Sequence, residues 1–152
     1  MKKINQKIVN INNIGKLGKN FKIKNKKIVL CHGVFDLLHI GHLKHFNSAK
    51  KFGDKLIVSI TPDIYVSKGP GRPIFNQNLR AEFLSNLSVV DFVVINDRAT
   101  STNIINDLKP NIYCKGSDYK NHKEDLFKTK RRKHVKRTNH EEGTSSKEIR
   151  SW

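Results

Sequence analysis

Cysteine is nearly absent: only Cys31 and Cys114 occur in 152 residues, and both lie in apolar segments. That excludes a disulfide scaffold and predicts two buried free thiols in a reducing compartment, part of the core rather than of any chemistry. No apolar run approaches the length needed to cross a bilayer, so no membrane partner is expected. The start, Met1–Lys7, lacks the apolar centre of a signal peptide, and a cytoplasmic location is the expectation. Acidic residues are missing from residues 1–27 altogether. Aromatic residues make up only 8% of the chain, with no aromatic-rich face or known nucleic-acid module beside the positive charge; a nucleic-acid partner is therefore not expected. The chain shows no internal repeat and no convincing covalent nucleophile.

What is abundant is positive charge. Thirty Lys and Arg against thirteen Asp and Glu give a formal charge of +17, which favours anionic ligands such as nucleotides and sugar phosphates. The charge is uneven. Residues 1–26 form a basic, Asn-rich lead-in with an amphipathic hint at Ile4, Ile8, Ile11 and Ile14, read as a short helix or a loose segment. Residues 120–152 open with a second basic cluster that includes Lys130–Lys133. Residues 27–119 lie between and carry the motifs. The length suits one domain with a sizeable core.

Short apolar runs alternate with helical patterns through that middle. Strands are expected at Ile28–Leu30, Lys55–Ile60, Phe92–Ile95 and Asn111–Cys114. Helices are expected from Leu43 to Phe52, closed by Gly53, and after Asn76, with Leu79, Phe83, Leu84 and Leu87 on one face. A further helix should run from Thr100 or Ser101 to Leu108, and Ser67–Pro73 must be a loop. The alternation predicts a single-domain α/β fold, a Rossmann-like parallel sheet flanked by helices. Such sheets bind ligands outside the carboxyl ends of their strands. His39, Asp63, Lys68 and Lys115–Asp118 all fall just beyond predicted strand ends.

The most informative run is Cys31-His-Gly-Val-Phe-Asp-Leu-Leu-His-Ile-Gly-His42. Two histidines three apart at a helix start share one side of its first turn. Open backbone N–H groups and the positive end of the helix dipole make that turn an anion site. Gly33 and Gly41 would let the backbone approach a ligand closely. A metal pair or two ordinary surface histidines are the competing readings, disfavoured by the strand, glycines, Asp36 and helix in register.

The spacing Gly33-x-Phe35-Asp36-x-x-His39-x-Gly41-His42 resembles the signature of the cytidylyltransferase-like nucleotidyltransferases. Further segments, Leu56–Asp63, Lys68–Pro73, Leu79–Ala81, Val90–Val94 and Lys115–Tyr119, look like the branch that includes heptose-1-phosphate adenylyltransferases. The resemblance covers roughly residues 27–122. It implies a Rossmann-like fold, a homodimer, and a domain found alone or with a sugar-kinase-like partner. It implies transfer of a nucleotidyl group from a nucleoside triphosphate, ATP before CTP, to a sugar phosphate with Mg²⁺ as cofactor. His39, His42, Lys68 and Arg80 would be catalytic, stabilising phosphate charge. Gly33, Phe35, Asp36, Gly41, Asp63, Lys115, Gly116 and Asp118 would form the nucleotide site.

Several roles stay open on the residues alone. Asp36 could orient backbone, help hold a metal-bound phosphate, or serve as a turn or cap. Arg72 could bind phosphate or hold its loop. Ser145 with Glu148 reads as a capping box, so Thr144, Ser145 and Ser146 could contact phosphates or simply cap. Lys120–Glu141 has only Leu126, Phe127 and Val135 as strong apolar residues, does not read as a packed helix plus strand, and is expected to be mobile. A truncated or divergent C-terminal end is the matching expectation, and an inactive fragment, a glycerol-phosphate cytidylyltransferase or a basic nucleic-acid-binding protein on the same fold are the rival readings.

Overall fold

Ile28–Cys31 and Leu56–Ile60 have every residue buried, the pattern of strands covered on both faces. In the computed structural model, which describes residues 5–116 and 135–138, they are the centre of a six-stranded parallel sheet. The elements run β1 (Ile8–Val9), α1 (Ile14–Ile23), β2 (Ile28–Gly33), α2 (Ile40–Lys50), β3 (Lys55–Ile60), α3 (Gln77–Ser85), β4 (Phe92–Ile95), α4 (Thr102–Leu108), β5 (Ile112–Gly116) and β6 (Val135–Thr138). Their order in the sheet is β1-β4-β3-β2-β5-β6, with every neighbouring pair parallel. The expected Rossmann-like α/β fold is present.

Side chains alternate along the strands and divide the core in two. Val29, Cys31, Leu56, Val58 and Ile60 meet Phe46 and Ala49 of α2 and Ala81 and Leu84 of α3. Ile28, Leu30, Ile57 and Val94 meet Ile14 and Phe21 of α1 and Ile104, Ile105 and Leu108 of α4. Cys31 and Cys114 sit opposite each other on β2 and β5 as free buried thiols. Burial, with Cys114 beside it, pushes the Cys31 thiol well above its ordinary range.

The chain moves outward from β2 through β3 to β4, then crosses back to β5 on the other side of β2. The reversal of direction lies between β2 and β5, and the crevice outside their carboxyl ends is where such sheets take ligands.

Three expectations are decided or corrected here. Of the short helix or loose lead-in open for residues 1–26, the described residues 5–26 show the helix, and it is packed. Ile14 and Phe21 are buried in the second core, Leu17 packs against it, and β1 extends the sheet beside β4. A two-residue strand is too short to show an alternation, and the lysines of α1 occupy its exposed side, which hid the apolar stripe. Second, α3 buries Arg80, Ala81, Leu84 and Ser85, while Leu79 and Phe83 are exposed. Leu84 and Leu87 do face the core as expected; Leu79 and Phe83 do not, and an arginine takes a place in the buried stripe. Third, Val135–Thr138 pairs with β5 as a sixth strand inside the segment expected to lack one. Strand pairing is made by backbone groups, so a short edge strand can form with little apolar content. The rest of Lys120–Glu141 lies outside the described residues.

Gly18 of α1 explains how closely that helix meets α4: a Cβ there would stand 2.3 Å from the Leu108 carbonyl oxygen. At Gly15 the nearest atom to such a Cβ would be 3.6 Å away, ordinary contact. Gly18→Ala should therefore lower stability by about 1–3 kcal/mol through overpacking, outweighing the ~1 kcal/mol that alanine gains in helix propensity. Gly15→Ala should be neutral or stabilising. Thermal unfolding of the two variants side by side measures the difference.

Candidate phosphate site at the strand ends

His39 is the N-cap of α2. Its backbone is extended (φ −142°, ψ 173°), and its Nδ1 accepts a hydrogen bond from the Gly41 N–H at 3.0 Å. His42, one turn on, accepts from the His39 N–H through its own Nδ1 at 3.3 Å. The two rings lie side by side with centroids 4.0 Å apart. Both Nδ1 atoms act as acceptors, so the neutral form of each ring carries its proton on Nε2. The expectation of open N–H groups at this helix start is thus revised in part: the imidazoles themselves cap them.

Phe35 adopts a left-handed backbone (φ 51°), and its ring packs edge-on to His42 at 5.4 Å and against Phe46 at 5.3 Å. Gly33 serves that ring. A Cβ on Gly33 would come within 2.9 Å of the Phe35 ring, so the glycine makes room for that side chain. Gly41 contributes the N–H that His39 caps.

Arg80 departs furthest from expectation. It is 1% exposed. Nε donates to the Phe75 carbonyl at 3.0 Å, Nη1 to the Val34 and Thr61 carbonyls at 2.6 and 2.9 Å, and Nη2 to Asp63 Oδ1 at 2.6 Å. A guanidinium has five N–H donors, and these bonds occupy most of them. Arg80 therefore braces the loops after β2 and β3, and the reading of it as an open phosphate ligand is corrected. Asp63, expected at the nucleotide, is the partner carboxylate; its N–H donates to Gln77 Oε1 at 3.0 Å.

Asp36 is a second brace. It is 4% exposed and accepts from Arg72 Nη1 at 2.8 Å, the Ile74 N–H at 2.7 Å and the Phe75 N–H at 3.3 Å. Burial alone would raise its carboxyl; the Arg72 guanidinium and the two backbone donors outweigh that and hold it below the usual carboxylate range. Of the alternatives open in the sequence, backbone orientation is the one this geometry supports. Lys68 stands exposed in the loop between, next to Gly69 and Gly71, whose φ values of 96° and 73° demand glycine. Among the described residues no carboxylate pairs with it. Lys115 is buried near the end of β5, just past the Cys31–Cys114 pairing, and Gly116 closes that strand against Thr138. Asp118, Thr144, Ser145 and Ser146 lie outside the described residues.

Sequence reasoning missed His32. Its Nδ1 lies 2.8 Å from Ser59 Oγ and its Nε2 3.4 Å from Thr61 Oγ1, tying the ends of β2 and β3 together beside the site. The available signal was polar residues inside otherwise apolar strands. A cleft of about 770 Å³ lies elsewhere, between α1 and α4 on the other face of the sheet. It contains none of the motif residues, and size alone does not make it the centre of the chemistry.

With this geometry in hand, comparison with known proteins is direct. The cytidylyltransferase-like family matches residues 30–151, well over half of the chain. The chain belongs to that family. Among its relatives, the bifunctional protein HldE of Geotalea uraniireducens is 41% identical over 115 residues, 74% of this chain and 24% of that protein. HldE of Campylobacter fetus is 48% identical over 96 residues, 62% of this chain and 21% of that protein. The chain spans about a quarter of the length of these curated relatives. A crystal structure of the lipopolysaccharide core biosynthesis protein from Thermoplasma volcanium superposes with a TM-score of 0.57 at 34% identity, covering 62% of this chain and 78% of that one. The pantoate-beta-alanine ligase of Francisella tularensis (TM-score 0.54, 20% identity, 74% and 57% covered) shares the fold alone.

In this member of the family, Arg80→Met should lower stability by about 3 kcal/mol or more, because it strands buried carbonyls and a partly buried carboxylate. Denaturant titration reads it. Asp36 gives a pH-dependent counterpart. Its folded carboxyl lies below the ordinary value of about 3.9, so its contribution is present above that pH and lost as pH falls through the folded value. Asp36→Asn should be less stable than the parent at pH 7, and the gap should close in strong acid.

Proposed function

We propose that the chain transfers a nucleoside monophosphate from a nucleoside triphosphate, ATP in first place, to a sugar phosphate, with a heptose 1-phosphate as the favoured acceptor. An acceptor phosphate oxygen attacks the α-phosphorus, the bond from that phosphorus to the bridging oxygen breaks, and pyrophosphate leaves with the electron pair. No covalent enzyme intermediate is involved. The observation that carries the reading is the imidazole pair capping α2 beside the β2/β5 crevice. The HldE-like identity over most of the described core supports this branch of the family.

Such transfer asks a protein mainly for positioning and charge stabilisation. His39 and His42 offer Nε2–H donors to α- and β-phosphate oxygens, and Lys68 on its glycine-bounded loop brings a mobile cation to the triphosphate. The Arg80 and Asp36 braces fix the loops that carry these groups. Mg²⁺ would supply charge neutralisation to the triphosphate. Asp36 and Asp63 are committed to arginines, and among the described residues no three His, Cys, Asp or Glu side chains gather as a ligand set. The residues present fit a cation that rides on the triphosphate and its waters. A homodimer, a sugar-kinase partner and a cytoplasmic location belong to the same proposal. Two free thiols support the last, and among the described residues no helix is long and apolar enough to cross a membrane.

A pyrophosphate-release screen of each nucleoside triphosphate against a panel of sugar phosphates tests the reading. Turnover should be highest with ATP and a heptose 1-phosphate; turnover with CTP and glycerol phosphate alone would reverse the assignment. His39→Asn separates catalysis from folding. Asparagine is among the best N-caps, so the melting temperature should hardly move. Loss of the imidazole donor should lower turnover by about 10²–10³. Unchanged turnover would remove His39 from the mechanism.

A further inference from the structure

Two arginines face the strand-end loops, and they differ in what they have left to offer. Arg80 is buried and makes four hydrogen bonds to the protein. The Arg72 side chain is 37% exposed, and among the described residues it makes one, to Asp36. Most of its five N–H donors therefore have no partner among the described residues. That carboxylate is itself immobile, because it is buried and accepts from the Ile74 and Phe75 N–H groups as well. It also belongs to the histidine motif, three residues before His39. One side chain thus fixes the end of the Lys68 loop relative to the start of α2.

We propose that Arg72 is a phosphate-binding residue for the nucleotide and that Asp36 is the positioning residue that aims it. The assignment rests on the nucleotidyltransferase reading of the site. A guanidinium can give one edge to a carboxylate and another to a phosphate, which a lysine ammonium does with less directional control. Holding the group in place beforehand removes part of the ordering cost of binding. Lys68, beside two glycines with left-handed backbone, has no such tether and acts as the mobile cation of the same loop.

Calorimetric binding of inorganic tripolyphosphate at fixed salt tests this without requiring turnover. Arg72→Gln should weaken binding by about 10- to 100-fold, the range of one or two charge-assisted hydrogen bonds; because it also takes the guanidinium from the buried Asp36 carboxylate, its melting temperature should fall, and affinity is read well below that temperature, where the variant is folded. Arg72→Lys should recover only part of that. Asp36→Asn should lose affinity by a comparable factor although Arg72 is still present. In the double variant the loss should be no larger than the greater single loss. Asp36→Glu, which keeps the charge but displaces it by one methylene, replaces Asp36→Asn if that variant does not fold. Parent-like tripolyphosphate affinity in Arg72→Gln would overturn the proposal. So would losses at Arg72 and Asp36 that simply multiply. The two readings fail separately. A negative pyrophosphate screen with weakened tripolyphosphate binding in Arg72→Gln removes the reaction and keeps the site. Full activity and affinity in Arg72→Gln with a positive screen keeps the reaction and removes Arg72.

Discussion

Arg80 carries a positive charge into a place with 1% exposure, and the mouth of the site is built around it. A buried charge persists only when its hydrogen bonds are met. Here they are met by carbonyls of Val34, Thr61 and Phe75 and by Asp63, from three separate stretches of chain. These stretches follow β2, follow β3, and precede α3. The requirement to satisfy one guanidinium thus converts three loops into a frame. Asp36 repeats the device with the opposite sign, gathering Arg72, Ile74 and Phe75.

The histidine pair gains its meaning from that frame. Each Nδ1 satisfies a backbone N–H at the start of α2, so the caps use one nitrogen of each ring. A helix start capped in this way keeps its geometry without an anion. The rings are held by their caps and by the Phe35 ring, which occupies the room that Gly33 leaves. Rigid first-turn donors at a strand end suit chemistry that depends on charge stabilisation more than on acid–base exchange.

The sheet supplies the position. Reversal of strand order between β2 and β5 opens the crevice, and the motif follows β2 directly. Membership of the cytidylyltransferase-like family agrees with this placement, since its match begins at Leu30 inside β2. The wider HldE-like proteins extend well beyond the segment described by this chain.

The α/β alternation, the four main strands and the glycine-flanked histidines were legible from residue order, because apolar runs and first-turn spacing are local properties. The packing of α1 was not: its three lysines are interleaved with its apolar residues, and only the sheet shows which side is covered. β6 escaped notice because its pairing is made by backbone, which leaves little mark on side-chain pattern. The roles of the charged residues were decided by tertiary structure alone. Arg72 and Arg80 are the same residue type eight positions apart; residue order left Arg72 open between phosphate and its own loop and pointed Arg80 to phosphate. Burial separates them. Arg80 lies among carbonyls that would otherwise be unsatisfied, while Arg72 lies at the rim with one edge tethered. Which partner a charge finds depends on loops converging from distant parts of the chain, and that convergence exists only once the sheet has formed.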